Sequence, residues 1–72
     1  MSAMREQLER LIAEMVNRGI RYEDARREFE KRFIIQALSK VNGNLVRASE
    51  LLGIHRNTLS RKVNSYRLRK KP

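Results

Sequence analysis

From His55 to Asn64 the chain reads HRNTLSRKVN, ten residues without an acid. Arg56, Asn57, Ser60, Arg61 and Asn64 in this stretch all donate hydrogen bonds, and the two arginines carry permanent positive charge. On a helix of 3.6 residues per turn, Asn57, Ser60, Arg61 and Asn64 fall opposite Leu59 and Val63, while Arg56 stands at the first turn. Donors gathered on one face, with no carboxylate among them, suit the base edges of a major groove and the phosphates flanking it. Solvated helix faces usually mix signs, whereas this one carries only positive charge from Asn57 onward.

Other chemistries find little support. His55 is the only histidine and has no clustered ligand or acid, so it reads first as a polar residue at a helix start. With no cysteine there is neither a disulfide nor a Cys/His zinc site. There is no Ser-His-acid set that the sequence can point to and no glycine-rich phosphate loop. Met4 and Met15 sit at core spacing rather than beside a cofactor motif. No catalytic residue, metal, cofactor or small-molecule substrate is expected, and the chain does not read as an enzyme.

The elements that must position this face lie just before it. Leu45, Ala48, Leu51 and Leu52 give a short helix an inward side. Gly53 breaks it, Ile54 plugs the corner, and Leu59, Val63 and Tyr66 form the inward side of the next helix. Ala48 and Ser49 are small, as two helices crossing steeply through a three-residue turn require, because their backbones must come close. That is helix-turn-helix logic. Gly43 reads as a helix stop and Asn44 as the cap of the following helix.

Upstream, Leu8, Leu11, Ile12, Met15 and Val16 recur at the spacing of one helix face. Ser2 is suited to cap that helix and Gly19 to end it, and Glu6–Arg10 and Glu14–Arg18 are i,i+4 acid-to-base pairs. A second helix is predicted over about 22–42, with Glu23 and Asp24 at its positive N-terminal end. Its apolar stripe is divided. Tyr22, Ala25, Phe29 and Phe33 share one face; Ile34, Ala37, Leu38 and Val41 lie a quarter-turn or more around; Ile35 belongs to neither. A helix with two apolar faces is predicted to touch two bodies.

At 72 residues the core is thin, about 3–5 kcal/mol at most for this size, and self-association is the remaining way to bury more apolar surface. No apolar run approaches a membrane span and the N-terminus lacks a secretory pattern, so a soluble cytoplasmic protein is expected. Residues 1–42 carry nine Lys/Arg against seven Asp/Glu, and residues 43–72 carry eight against one, Glu50. A field so concentrated points to a polyanionic partner. A membrane-surface helix built on the basic tail at residues 67–72 is the alternative, though large membrane-facing apolar residues are missing there. A protein-interaction module using the N-terminal half is another, and RNA reading lacks the expected aromatic platforms.

Phe29-Glu30 with Ala37-Leu38, then Gly43-Asn44, Arg47-Ala48, Leu52-Gly53-Ile54, Arg56, Thr58-Leu59, Arg61-Lys62 and Tyr66 form a pattern over roughly residues 22–68. It resembles the Fis family, which includes the nucleoid protein Fis and the C-terminal DNA-binding domains of NtrC-like sigma-54-dependent activators. The resemblance implies an all-α fold with four helices per chain in a single domain over residues 1–72. Residues 2–42 would supply dimerisation helices, interlocked with a second copy as a four-helix bundle; residues 44–66 would be the helix-turn-helix, and 67–72 a basic tail. It implies a homodimer on double-stranded DNA, bending it and acting as a transcriptional regulator in the bacterial cytoplasm at the nucleoid, alone or as part of a larger activator. By position, Asn44 would contact phosphate, His55, Arg56 and Ser60 would lie at or near base edges, and Thr58, Arg61 and Lys62 would grip the backbone; Asn57 and Asn64 complete the DNA-binding set. Leu8, Leu11, Ile12, Met15, Phe29 and Phe33 would form the dimer interface. The chain departs from the family at His55, Val46 and Ser60, and at Arg67, which replaces a common glycine. The mobile N-terminal arm with which Fis activates DNA invertases has no counterpart, so that activity is not expected.

Overall fold

Each of the four stretches with helical apolar spacing folds as a helix. The computed structural model describes residues 2–68 and contains α1 (Ser2–Asn17), α2 (Tyr22–Lys40), α3 (Leu45–Leu52) and α4 (Arg56–Ser65). The described residues are all-α, as expected. The basic tail beyond Leu68 lies outside them.

The helix ends follow from local chemistry. Gly19, at φ 75°, closes α1 with its own amide donating to Val16 and the Ile20 amide to Met15, the hydrogen bonds of a left-handed helix stop. At the other end Ser2, expected as a cap, is the first described residue and is itself helical. The Glu14–Arg18 pair forms at 2.8 Å, whereas no ion pair joins Glu6 to Arg10. α2 follows Arg21, which stands at the N-cap position without a side-chain cap, its first turn favoured instead by Glu23 and Asp24 against the exposed amides. It ends at Lys40, two residues short of the expected Asn42. Asn42 (φ 56°) and Gly43 (φ 80°) both adopt left-handed backbone, so the stop begins one residue before the glycine.

The core is built from Ile34 onward. Ile34, Ala48, Leu59 and Val63 are buried together, with Leu38, Val41, Leu45, Leu52, Ile54, Tyr66 and Leu68 packed around them. α3 contacts both α2 and α4, while the direct backbone approach of α2 to α4 is sparse. The divided stripe of α2 is therefore realised on one side: Ile34 and Ala37 are buried and Leu38 and Val41 pack, but Tyr22, Phe29 and Phe33 stay exposed. The rings of Phe29 and Phe33 lie 5.5 Å apart, tilted by 47°. Ile35, expected on neither face, is half-buried. Leu51 is corrected from an inward to an exposed position; it turns toward a groove that it shares with Phe29 and Phe33, between α2 and α3.

No side chain of α1 is fully buried; Met15 alone among its apolar residues is half-buried. The Cα radius of gyration is 14.1 Å, against about 11 Å for a compact chain of this length, and the extents are 39 × 26 × 21 Å. No described helix is long and apolar enough to cross a membrane.

Candidate nucleic-acid interface

Two side chains fix the starts of the last two helices. Asn44 Oδ1 accepts the Arg47 amide at 3.1 Å, satisfying one of the unpaired donors at the start of α3. His55 Nδ1 accepts the Asn57 amide at 3.1 Å and so caps α4. That bond requires Nδ1 to be the unprotonated nitrogen, which leaves Nε2–H as the donor on the other edge of the ring. His55 is thus the polar helix-start residue that the spacing predicted.

Between these helices the turn is three residues long, Gly53, Ile54 and His55. Gly53 takes φ 71°, and the Ile54 amide donates back to the Ser49 carbonyl at 3.1 Å. Nothing lies within 4 Å of where a Gly53 Cβ would stand, so the glycine is needed for its backbone angle and not for space. Ala48 is completely buried in the core beside Leu59 and Val63. Ser49, also buried, satisfies its hydroxyl by donating to the Val46 carbonyl at 2.7 Å, which removes the cost of a polar group in that position. With Leu59 and Val63 buried against α2 and α3, the opposite side of α4 is left facing out.

Asn44, His55, Arg56, Asn57, Arg61 and Asn64 are exposed, and Thr58 and Ser60 are half-buried. Arg47, Arg56, Arg61 and Arg67 make no ion pair among the described residues. Arg47 was absent from the predicted contact set, although it is an exposed cation in the first turn of α3, its amide held by the Asn44 cap. Such a surface, with hydrogen-bond donors between free guanidinium groups, can bind a polyanion and read acceptors set between its charges.

Lys62 is placed differently from the rest. Its Nζ lies 2.7 Å from Glu30 Oε2, and the Tyr66 hydroxyl donates to Glu30 Oε1 at 2.5 Å. Arg26, bound to Glu23 at 2.6 Å, also stands 3.7 Å from Glu30. The hydrogen bonds from Lys62 and then Tyr66 hold the Glu30 carboxyl below its ordinary pKa, aided by the charges of Lys62 and Arg26. The bond to Glu30, followed by burial, pushes the Tyr66 phenol up. Sequence reading missed Glu30 as a partner, because its contacts lie 32 and 36 residues away. The available signal was the one-turn spacing of Lys62 and Tyr66, which places both on one edge of α4.

The residues predicted to join two copies are found on the outside of the single chain: Leu8, Leu11, Ile12, Phe29 and Phe33 are exposed and Met15 is half-buried.

The sequence pattern of the family described as "Bacterial regulatory protein, Fis family" matches residues 25–66, which hold most of α2, all of α3 and all of α4. A protein of Xylella fastidiosa (strain Temecula1), provisionally named a Fis-like DNA-binding protein, is 36% identical over 67 residues, covering 79% of this chain and 74% of the relative. No solved structure gives a significant match.

Proposed function

The chain belongs to the Fis family of helix-turn-helix DNA-binding regulators, and from that premise we propose that it works as a homodimer that reads specific sites in double-stranded DNA and bends them. The observation that carries the reading is the outward side of α4: an acid-free set of donors with Arg56 and Arg61 unpaired, fixed in direction by the His55 cap and the buried Leu59 and Val63. Arg56 approaches base edges, with His55, Asn57, Ser60 and Asn64 beside it. Arg61, Thr58, Asn44 and Arg47 hold phosphate. A second copy would cover the apolar surface of α1 and the outer face of α2, which the single chain leaves in water. Two recognition helices related by a two-fold axis would then enter successive major grooves, one turn of duplex apart. The protein acts as a transcriptional regulator at the bacterial nucleoid, by itself or as the DNA-binding part of a sigma-54-dependent activator.

A mobility-shift titration of duplex DNA at several salt concentrations tests this. Each neutralised phosphate contributes about −0.9 to the slope of log K against log salt, so a dimer should lose orders of magnitude in affinity between low and physiological salt. A nearly flat response overturns the proposal, and flotation with anionic liposomes in place of a DNA shift would favour the membrane-surface alternative.

A further inference from the structure

α4 is a short cylinder resting on apolar side chains. Ile34 of α2 meets Leu59 and Val63, and Ala48 of α3 fills the space beside them. Such contacts decide which side of the helix faces inward, but they are non-directional and leave its fine rotation about its own axis less closely set. Direct backbone approach of α2 to α4 is sparse, so little else from α2 resists that rotation. Hydrogen bonds do resist it, because their strength depends on direction as well as distance. Glu30 supplies two. One carboxylate oxygen takes the Lys62 ammonium at 2.7 Å and the other takes the Tyr66 hydroxyl at 2.5 Å, from residues one helical turn apart. Both bonds are sheltered: the Glu30 side chain is 25% exposed and that of Lys62 35%. Arg26, the other cation near Glu30, is already bound to Glu23, so the charge of Glu30 falls chiefly to Lys62.

We infer that Glu30 is a positioning residue for DNA reading: it sets the rotation of α4 through Lys62 and Tyr66, and it removes Lys62 from the set of groups that neutralise phosphate. This rests on the DNA-binding reading above and changes its residue assignment. Arg61, next to Lys62 but turned outward, remains a phosphate contact; Lys62 becomes an internal counter-ion.

The test compares Glu30→Ala, Glu30→Gln, Lys62→Met, the double variant Glu30→Ala/Lys62→Met, and Arg61→Met. Each is titrated at several salt concentrations against a duplex that the unaltered protein has selected from a random pool and against its scrambled version. Circular dichroism identifies the folded variants, and Glu30→Gln serves if Glu30→Ala is not folded. Arg61→Met should flatten the salt slope by about 0.9 per subunit. Lys62→Met should leave the slope in place yet lower the ratio of selected to scrambled affinity several-fold. Glu30→Ala should steepen the slope by about 0.9 per subunit, since Lys62 becomes available to phosphate, and strengthen binding to scrambled DNA while the ratio falls. The double variant should return the slope to its original value with the ratio still low. Glu30→Gln, which keeps an acceptor for Tyr66, should recover part of the ratio but not the original slope. If Lys62→Met flattens the slope as much as Arg61→Met does, or if the Glu30 variants keep the full ratio, the inference is overturned while DNA binding stands. If the unaltered protein shows no salt-sensitive duplex binding, the DNA-binding reading itself has failed.

Discussion

Arg56 and Arg61 are both exposed and free of ion pairs, but they sit differently on α4. Arg56 is its first residue, where a recognition helix points toward the floor of the groove, and a guanidinium fork matches the two acceptors of guanine. Arg61 lies more than a turn further along, where a cation meets the sugar-phosphate rim. Arg56→Ala should therefore cost about 1–3 kcal/mol per half-site on the preferred duplex and much less on scrambled DNA. Arg61→Ala should weaken both alike. Equal weakening of both duplexes by Arg56→Ala would make it a phosphate clamp and move base reading to His55, Asn57 or Ser60. These exposed donors were legible in the sequence because period and polarity alone decide which side of a helix meets water. Lys62 was not, since a pattern within ten residues carries no information about a carboxylate on another helix.

Turns set the geometry of the elements, and left-handed residues make the turns. Gly53 (φ 71°) ends α3, and Arg67 (φ 57°) follows α4, with its amide donating to Asn64 and that of Leu68 to Val63. Gly53→Ala should destabilise the fold by about 1–2 kcal/mol through backbone strain alone. Arg67→Gly should do the opposite, raising stability by about 0.5–1 kcal/mol in urea denaturation while weakening DNA binding through the lost cation. The tie between α2 and α4 has its own signature in pH. Glu30 ionises below its ordinary 4.5 in the folded chain, so its contribution is complete above that value and is lost as pH falls through the folded pKa. Tyr66 ionises above its ordinary 10.0, so its contribution is complete below 10.0 and is lost as pH rises through the folded pKa. Thermal midpoints of the unaltered protein and Tyr66→Phe should differ between these limits and converge at strongly alkaline pH. The four helices and the three-residue turn were legible from periodicity and glycine. The end of α2 was not, because an asparagine took the left-handed position that the sequence offers first to Gly43, and neither was Leu51, whose outward turn depends on how α3 sits against α2.

For the molecule as a whole, the decisive contrast is between a small core and a long apolar outer surface. Phe33 is 53% exposed in the single chain, so an aspartate there would be tolerated by an isolated molecule. Within a dry interface between two copies it would be an unpaired buried charge. Phe33→Asp should weaken self-association by about a hundredfold or more, read by sedimentation across the micromolar range. A folded monomer of the unaltered protein at those concentrations would refute the homodimer. The sequence already carried the reason to expect a second body, the two apolar faces of α2. It could not show that residues 34–68 would enclose the entire buried core and leave α1 without one fully buried side chain.

That uncovered first helix bears on how long the protein survives in a cell. A helix with no fully buried side chain opens at little cost, and proteases cut what opens. Arg5, Arg10 and Arg18 all lie in it or at its end, within reach of trypsin-like enzymes. If a second copy shields α1, degradation slows as the protein accumulates, and its half-life lengthens with its own abundance. Scarce chains would then be cleared and plentiful ones would persist. The rate of tryptic cleavage at those arginines, followed over a dilution series, should rise steeply below the dimer dissociation constant and fall again when saturating DNA holds two copies together.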